Sequence, residues 1–405
     1  MIQPAARTRN YNYAIRNIVV EAKKVEASGR PVTYLNIGDP VIYGFQPPQS
    51  LMEAMAKAVR DGNNGYAPSN GTVEAREAIA EDSAKFGIPI SPEDVIVTSG
   101  ASEGADLILS ALLEAGDDVL TPCPTYPLYS AITSKLGAKE NYYHLDPKNN
   151  WLPNLDEIRS LITPRTRAMV VINPNNPTGT VYSKELLQGL LDIAAEHNLV
   201  VLADDVYHRM TYGPAGARLA ELAQPMEVPV ITLESLSKSH LVPGWRVGWM
   251  TFTNKPAMAD LIPAIRKMAD ARLCSPLPTQ CVIPAALSDL SHLKDTMDAM
   301  KLRADITVES INAIPGMNCT RPEAAFYIMA QMENLAGATD EEFVLALLRE
   351  TGILFVYGSG FGLNPQDGYF RIVFLPQPEV LRDVYTRLGE FATAWPNRAR
   401  QAAQG

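Results

Sequence analysis

A regular alternation of short apolar runs and segments with helical periodicity constrains the fold of this chain more than any other feature. The apolar runs are six to eight residues long and lie at 94–99, 117–124, 167–174, 199–205, 228–234 and 247–252. Runs of this length and composition are typical of buried strands. Helical patterns fit between several of them, as at 102–116 and at 183–198, where Ser183 stands at the expected N-cap. This order predicts an α/β fold with a mostly parallel sheet wrapped by helices.

The length of the chain predicts more than one domain, because 405 residues exceed the size at which a single hydrophobic core usually stops growing. Residues 1–45 form an irregular arm, and the α/β pattern occupies residues 46–290. After about residue 290 the pattern changes, which predicts a smaller α+β domain over 291–405, with the arm contributing to it. The mixed charges of 291–314 predict a long helix with a solvated face.

The composition excludes several classes of protein. The formal net charge is −10 and no basic stripe occurs, so we expect neither a nucleic-acid partner nor an anionic membrane surface. No apolar stretch approaches membrane-spanning length, and the N-terminal residues lack the apolar core of a signal peptide. The four cysteines and five histidines are dispersed without the spacing of a metal site, so we expect no metal, no disulfide framework and a cytoplasmic protein.

Reactive and polar residues collect directly after the apolar runs. The segments are TSGASEG (98–104), TPCPTYP (121–127), NPNNPTG (173–179), ADDVYH (203–208) and ESLSKS (234–239). Any one of them also fits an ordinary turn. Because open α/β sheets bind ligands outside the carboxyl ends of their strands, the five segments together predict one site.

The first of these segments predicts an anion-binding turn. Backbone amides at a strand-to-helix turn point toward the helix N-terminus, which suits a phosphate. Ser235, Ser237 and the permanent cation of Arg246 are further candidate donors to the same group. A plain turn, and serines that serve only the loop, are the alternative interpretation.

Asp204 and Lys238 indicate which phosphate compound is bound. A carboxylate at the end of an apolar strand needs a partner, either a structural salt bridge or the protonated ring nitrogen of a cofactor. Tyr207 and Asn176 are candidate hydrogen-bond partners for a phenolic oxygen of that ring, and Tyr126 offers a stacking face. An amine kept from water near another cation has a lowered pKa and becomes a nucleophile for an aldehyde. This combination suits pyridoxal 5′-phosphate.

The ordered set of motifs resembles the PLP-dependent class I aminotransferases of fold type I, from about Tyr13 to about residue 390. The motifs are NIGDP, GYAPSNGTVEAREAIA, PCPTYP, NPNNPTG, ADDVYH, SLSKSHLVPGWRVGW and FRIVFLP. The resemblance implies a mostly parallel seven-stranded sheet flanked by helices, together with a smaller α+β domain. Within the family, stretches such as LNIGDPVIYGFQPP and ARLCSPLPTQ are most similar to bacterial and archaeal alanine aminotransferases.

The resemblance also implies a role for individual residues. Lys238 is similar to the Schiff-base lysine, Asp204 to the partner of the pyridine nitrogen, and Asn176 and Tyr207 to the residues at the ring oxygen O3′. Tyr126 matches the stacking aromatic. The phosphate site then comprises the amides of Ala101 and Ser102 with Ser235, Ser237 and Arg246, and Tyr66 reaches it from the neighbouring subunit of a homodimer with shared active sites.

The substrate residues are carried over in the same way. Arg371 matches the arginine that binds the substrate α-carboxylate, beside the backbone of Gly38 and with Asn176 nearby. In the alanine-specific branch Tyr13 and Arg16 of the arm shape the substrate pocket. Arg16 or Arg272 could serve a side-chain carboxylate, although an ordinary salt bridge is an equal alternative. The sequence departs from its relatives at Glu234 and Ser235, where Asn-Gly is common.

The expected activity is transfer of the amino group of L-alanine to 2-oxoglutarate, with the cofactor alternating between its aldehyde and amine forms. Aspartate, aromatic or branched-chain amino acids are alternative substrates of the same chemistry, and a β-lyase is an alternative reaction on the same fold. A ligand-sensing regulator and a catalytically silent partner protein belong to other classes. The first lacks a DNA-binding segment here, and the second does not need the reactive residues that are present.

Overall fold

The structure is a computed structural model that describes residues 2–5, 7–8 and 14–402, without the side chains of residues 14–16, 398 and 400–402. Its strands are β1 Thr33–Tyr34, β2 Val95–Thr98, β3 Asp118–Cys123, β4 Lys139–Asp146, β5 Leu152–Pro153, β6 Thr166–Ile172, β7 Val200–Asp204, β8 Val230–Ser235, β9 Gly248–Thr253, β10 Met317–Cys319, β11 Tyr327–Met332, β12 Ile353–Leu354, β13 Val356–Tyr357 and β14 Tyr369–Val373. Short 3₁₀ turns include Pro40–Tyr43, Pro243–Trp245 and Gly358–Phe361.

Helices occupy most of the remaining described chain. They are α1 Ala14–Ala27, α2 Gln49–Arg60, α3 Val73–Ala84, α4 Ala101–Leu112, α5 Leu128–Leu136, α6 Leu155–Leu161, α7 Lys184–His197, α8 Leu219–Ala223, α9 Leu236–Ser239, α10 Leu261–Ala271, α11 Leu277–Gln280, α12 Ile283–Ser288, α13 His292–Asn312, α14 Asp340–Thr351 and α15 Pro378–Ala402. Helix α7 begins and ends as the sequence predicts. The Ser183 hydroxyl accepts a hydrogen bond from the Leu186 amide, and Asn198 adopts the left-handed conformation that closes the helix.

The larger sheet has the strand order β2-β9-β8-β7-β6-β3-β4-β5. Strands β8, β7, β6, β3 and β4 are parallel neighbours, whereas β9 and β5 run antiparallel to the strands beside them. The mostly parallel sheet is confirmed, with one correction to its size: eight strands of the described chain form it instead of seven. The additional strand is the two-residue β5, which returns along β4 after a tight turn at 147–149.

The central strands are buried on both faces, which explains their nearly continuous apolar sequence. Successive side chains of β6 point to opposite faces of the sheet. Met169 and Val171 pack into one layer of the core, with helix α7. Ala168, Val170 and Ile172 pack into the opposite layer, with helices α4 and α10. The reactive residues that follow these strands therefore emerge at one edge of a rigid sheet.

A second, antiparallel sheet has the order β10-β11-β14-β13 and packs against α13, α14 and α15. The arm joins this part of the molecule, because β1 pairs in parallel with β12 and Ile18 and Ala22 of α1 lie in the same core. Helix α13 corrects the expectation of a simple solvated face. Lys294, Asp295, Asp298, Lys301 and Glu309 are exposed, but Arg303 is buried, as are Met300 and Ala304.

Candidate active site

A cavity of about 560 Å³ lies at the carboxyl edge of the larger sheet, where the second sheet and the arm meet it. Its lining falls into two groups that differ in origin. The first group, here called the sheet wall, follows strands of the larger sheet and comprises Ala101, Ser102, Tyr126, Asn176, Asp204, Tyr207, Ser235, Ser237, Lys238 and Arg246. The second group, the arm wall, comprises Ile37, Gly38, Asp39, Tyr327 and Arg371.

One end of the sheet wall is a cradle of backbone amides. Gly100 has a φ of 81° and turns the chain from β2 into α4. The helix begins at Ala101, and its first backbone amides, which have no partner within the helix, point toward this end of the cavity. Gly248 is required opposite this turn, because a Cβ on it would lie 2.5 Å from the Ala101 nitrogen. The arrangement leaves room and donors for an anion at the helix N-terminus.

Arg246 adds a cation to the same end. Its guanidinium donates to the carbonyl oxygens of Pro243 at 3.0 Å and of Ser99 at 3.3 Å, which hold it beside the turn into α4. A side chain on Gly100 would overlap this guanidinium. A permanent charge fixed by backbone carbonyls, next to the helix amides, is the donor set that a phosphate monoester needs.

Lys238 lies in the short helix α9, directly after β8. Ser235 starts the helix, because its hydroxyl accepts a hydrogen bond from the Ser237 amide at 3.3 Å. The Lys238 amine donates to the Gly38 carbonyl oxygen at 2.7 Å. Burial lowers the pKa of Lys238 to about 8; the Asp39 carboxylate opposes this shift and the guanidinium of Arg371 adds to it. The amine is therefore available as a nucleophile near neutral pH.

Asp204 ends β7 with its carboxylate in the cavity. It accepts hydrogen bonds from the Tyr129 hydroxyl at 2.8 Å and from the Val206 amide at 3.4 Å. Among the described residues no basic side chain forms an ion pair with it, so the structural salt bridge considered as an alternative is not present. Burial raises the pKa of Asp204, and the bond from Tyr129 opposes the rise. A cationic group in the cavity would supply the missing opposite charge.

The arm wall is organised around Arg371 in β14. Its guanidinium donates to the Asn176 side-chain oxygen at 3.1 Å and to the Asn36 carbonyl oxygen at 2.7 Å. The rings of Tyr327 and Phe361 lie 4.7 and 4.8 Å from its Cζ, and these contacts fix the plane of the guanidinium. A planar cation held in this way is suited to a carboxylate that enters the cavity.

Tyrosine hydroxyls join the two walls. The Tyr207 hydroxyl from the sheet wall lies 2.8 Å from the Tyr327 hydroxyl of the arm wall. Gly38 packs directly against this pair, since a Cβ there would overlap the Tyr327 hydroxyl and lie 2.8 Å from Phe326 Cε2. The close approach of backbone to ring explains why the motif requires glycine at this position.

The structure brings together most of the residues predicted from the sequence. Those that line the cavity are Gly38, Ala101, Ser102, Tyr126, Asn176, Asp204, Tyr207, Ser235, Ser237, Lys238, Arg246 and Arg371. Tyr66 does not, and its side chain is 84% exposed on the single chain. Tyr13 and the side chain of Arg16 lie outside the described residues. Arg272 forms an ion pair with Glu103 at 3.2 Å and is not part of the cavity lining.

Three residues of the site were not singled out by the sequence. Tyr129 holds Asp204, Tyr327 contacts both Tyr207 and Arg371, and Asp39 faces Lys238. Of the three, only Tyr129 could have been recognised from the sequence. It follows Tyr126 by three residues, at the start of a helix on the cavity edge. Tyr327 begins an apolar strand and is indistinguishable there from an ordinary core residue.

Two other kinds of site do not occur in the described part of the chain. No group of three or more His, Cys, Asp or Glu side chains is arranged to hold a metal ion there. Within the same residues, none of the helices has the combination of length and apolar character that crossing a membrane requires.

Comparison with known proteins identifies the family. Residues 30–388 match the family described as aminotransferase class I and II. The chain belongs to this family. The glutamate-pyruvate aminotransferase AlaA of Escherichia coli K12 is 36% identical over 400 residues, which cover 96% of this chain and 97% of the relative. An alanine aminotransferase of Mycobacterium bovis is 36% identical over 401 residues, which cover 96% of this chain and 92% of the relative.

A solved structure agrees with the sequence relatives. The alanine aminotransferase of Pyrococcus furiosus superposes with a TM-score of 0.94 at 40% identity, over 96% of this chain and 100% of the other. The chain is thus a fold type I, pyridoxal phosphate-dependent transaminase, as the motifs predict. The chemistry of the cavity lining fits this cofactor, because amides and a guanidinium suit a phosphate, a carboxylate suits a protonated ring nitrogen and an amine suits an aldehyde.

Proposed function

We propose that the protein transfers the amino group of L-alanine to 2-oxoglutarate, forming pyruvate and glutamate. The observation that carries the proposal is the position of the Lys238 amine, in one cavity with the amide cradle, the Asp204 carboxylate and the Arg371 guanidinium. Each of these groups matches one functional group of the cofactor or the amino acid. The choice of alanine is supported by the relatives at 36 to 40% identity, which carry the names alanine or glutamate-pyruvate aminotransferase.

In this proposal the sheet wall holds the cofactor. The amides of Ala101 and Ser102, the hydroxyls of Ser235 and Ser237, and Arg246 bind the phosphate. Asp204 binds the protonated ring nitrogen, Asn176 and Tyr207 donate to the ring oxygen O3′, and Tyr126 stacks on the ring. Bound pyridoxal phosphate supplies an electron sink for the pair released when the Cα–H bond of the amino acid breaks.

The chain's own groups then handle the substrate and the proton. Arg371 binds the α-carboxylate and so orients the Cα–H bond toward Lys238. The Lys238 amine would take the proton from Cα as general base and would deliver it, as general acid, to the cofactor carbon next to the amino group. The negative charge of Asp204 keeps the ring nitrogen protonated throughout. The overall exchange balances, because alanine leaves as pyruvate and 2-oxoglutarate leaves as glutamate.

The wider organisation of the protein is also proposed. Residues 1–45, 46–290 and 291–405 act as arm, large domain and small domain. Two copies form a homodimer in which Tyr66 reaches the phosphate site of the partner. The exposure of the Tyr66 side chain on the single chain supports this arrangement. We place the protein in the cytoplasm, in keeping with the free state of the cysteines.

The test is a substrate comparison with purified protein and added pyridoxal phosphate. Glutamate formation from 2-oxoglutarate is measured with L-alanine, L-aspartate, L-phenylalanine and L-leucine as donors. We expect alanine to have the highest kcat/KM and Lys238→Ala to be inactive with every donor. A preference for another donor would change the substrate and keep the chemistry. Pyruvate and ammonia released from cystathionine without an acceptor would replace the proposal by a β-lyase.

A further inference from the structure

A buried ionic cluster lies directly behind the cofactor site, on the opposite side of the strand ends. Asp205 follows Asp204 at the end of β7, and Glu234 precedes Ser235 at the end of β8. The two strands are paired there, because the Asp205 amide donates to the Leu233 carbonyl at 3.0 Å. Side chains alternate across a sheet, so these two carboxylates point away from the cavity that their neighbours line.

Arg218 joins the two carboxylates. Its Nε donates to Asp205 Oδ2 at 2.8 Å and its Nη2 donates to Glu234 Oε1 at 2.7 Å. All three side chains are buried, with 4 or 5% of each accessible to solvent. Burial alone would raise the pKa of Glu234, but the Arg218 guanidinium outweighs it and lowers this pKa to about 2. Burial raises the pKa of Asp205 to about 6, although the Arg218 guanidinium opposes the rise, so near pH 7 a single buried cation lies between two carboxylates.

The cluster also lies beside the turn that carries Tyr207. His208 Nδ1 lies 2.8 Å from the Asp205 carbonyl oxygen, and its Nε2 lies 3.4 Å from Glu234 Oε2 without a hydrogen bond. The Arg218 guanidinium itself connects Asp205, where the turn begins after β7, with the end of β8. Four residues of the proposed cofactor site are attached to those segments: Asp204, Tyr207, Ser235 and Lys238.

We propose that Arg218 is a positioning residue that locks the strand ends bearing Asp204 and Ser235 into register for the cofactor. The bifurcated guanidinium fixes both carboxylates at once, which a lysine ammonium on a single flexible stem does not reproduce. Glu234 then has a function of its own, because it supplies the second anchor for Arg218. The inference rests on the proposed roles of Asp204 and Ser235.

A neighbouring ion pair provides a matched control. Arg209 binds Asp82, and both side chains are buried to a similar extent as those of the Arg218 cluster. Arg209 and Arg218 even lie against the same Phe86 ring, each at 5.1 Å. Asp82 belongs to α3, and although its partner Arg209 ends the turn that carries Tyr207, this pair does not bridge β7 to β8. Asp82→Asn and Glu234→Gln therefore remove comparable buried charges, and only the second removes a charge from the bridge between the two strand ends.

The experiment compares the parent protein, E234Q, R218K and D82N by equilibrium dialysis against pyridoxal phosphate and by circular dichroism in the absorption band of the bound cofactor. We expect D82N to bind within about twofold of the parent, and E234Q and R218K to bind on the order of tenfold more weakly with an altered band. Urea unfolding of the apo proteins measures how far each substitution lowers the free energy of unfolding. We expect this loss of stability to be similar in E234Q and D82N.

Two results would overturn the inference. If E234Q and R218K match D82N in cofactor affinity and in the dichroism band, the cluster contributes only to stability and the proposed function stands. If the parent itself fails to bind pyridoxal phosphate, the proposed function and the inference fall together. Because E234Q keeps the size of the side chain and one acceptor oxygen while removing the charge that binds Arg218, it tests the inference even if R218K does not fold.

Discussion

The two walls of the cavity are built in different ways. Each residue of the sheet wall follows a strand or begins a helix, so the ladder of the larger sheet places it. The arm wall is assembled from segments far apart in the chain: Arg371 donates to the carbonyl of Asn36, 335 residues away. The difference suggests a division of labour, in which a rigid sheet holds the cofactor and the meeting of arm and second sheet recognises the substrate.

The largest effect should come from the sheet wall. Asp204→Asn keeps the shape of the side chain but removes the charge that we propose holds the ring nitrogen of the cofactor protonated. We expect kcat to fall on the order of 10³-fold, with little change in the KM for alanine, because the loss concerns charge developing in the transition state. Steady-state kinetics with alanine and 2-oxoglutarate measure both parameters. A variant that loses affinity for alanine at constant kcat would contradict the division between the walls.

On the arm wall, Arg371→Lys should act on substrate binding. A lysine cannot bind a carboxylate in a bidentate manner, so we expect the KM for alanine to rise about 100-fold, equivalent to the loss of a strong charge-assisted hydrogen bond. The dissociation constant for pyridoxal phosphate should stay the same. Equilibrium dialysis and kinetics on one preparation separate the two quantities, and a parallel weakening of cofactor binding would argue against independent walls.

Substitution of two glycines by alanine tests the independence of the two walls with the addition of a single methyl group to each. Gly38→Ala places a methyl group against Tyr327 and Phe326, whereas Gly248→Ala places one against the Ala101 amide. We expect Gly38→Ala to raise the KM for alanine about tenfold and Gly248→Ala to weaken cofactor binding by a similar factor, since each displaces one wall. If both variants changed the same parameter, the walls would not be independent.

The central strands and most of the sheet wall could be predicted from a single sequence, whereas the sheet edge and part of the arm wall could not. Asp204 and Lys238 were predictable because a charged side chain directly after an apolar strand seldom serves packing alone. The strand β4 was missed, because KENYYHLD is mostly polar, lies near the sheet edge and lacks the apolar run of a central strand. Tyr327 was missed because its role depends on a hydrogen bond to Tyr207, 120 residues away, which no local pattern encodes.

The pH dependence of cofactor capture is the mildest of the predicted effects. The pKa of Lys238 is lowered to about 8 by burial, and only the neutral amine reacts with an aldehyde. The rate of capture by the apo protein should rise about tenfold per pH unit below pH 8 and level off above it. Stopped-flow absorption at constant ionic strength measures the rate. A rate that still rises steeply toward pH 10 would indicate an amine with an ordinary pKa.

The central claim is that Lys238 is the residue that binds pyridoxal phosphate, and it can be tested directly. The purified protein is incubated with pyridoxal phosphate, reduced with borohydride to make the bond permanent, digested and analysed by mass spectrometry. We expect one stoichiometric label on the peptide that contains Lys238, and none when an excess of L-alanine is added before reduction. A stoichiometric label on a different lysine, or no label at all, would contradict the claim.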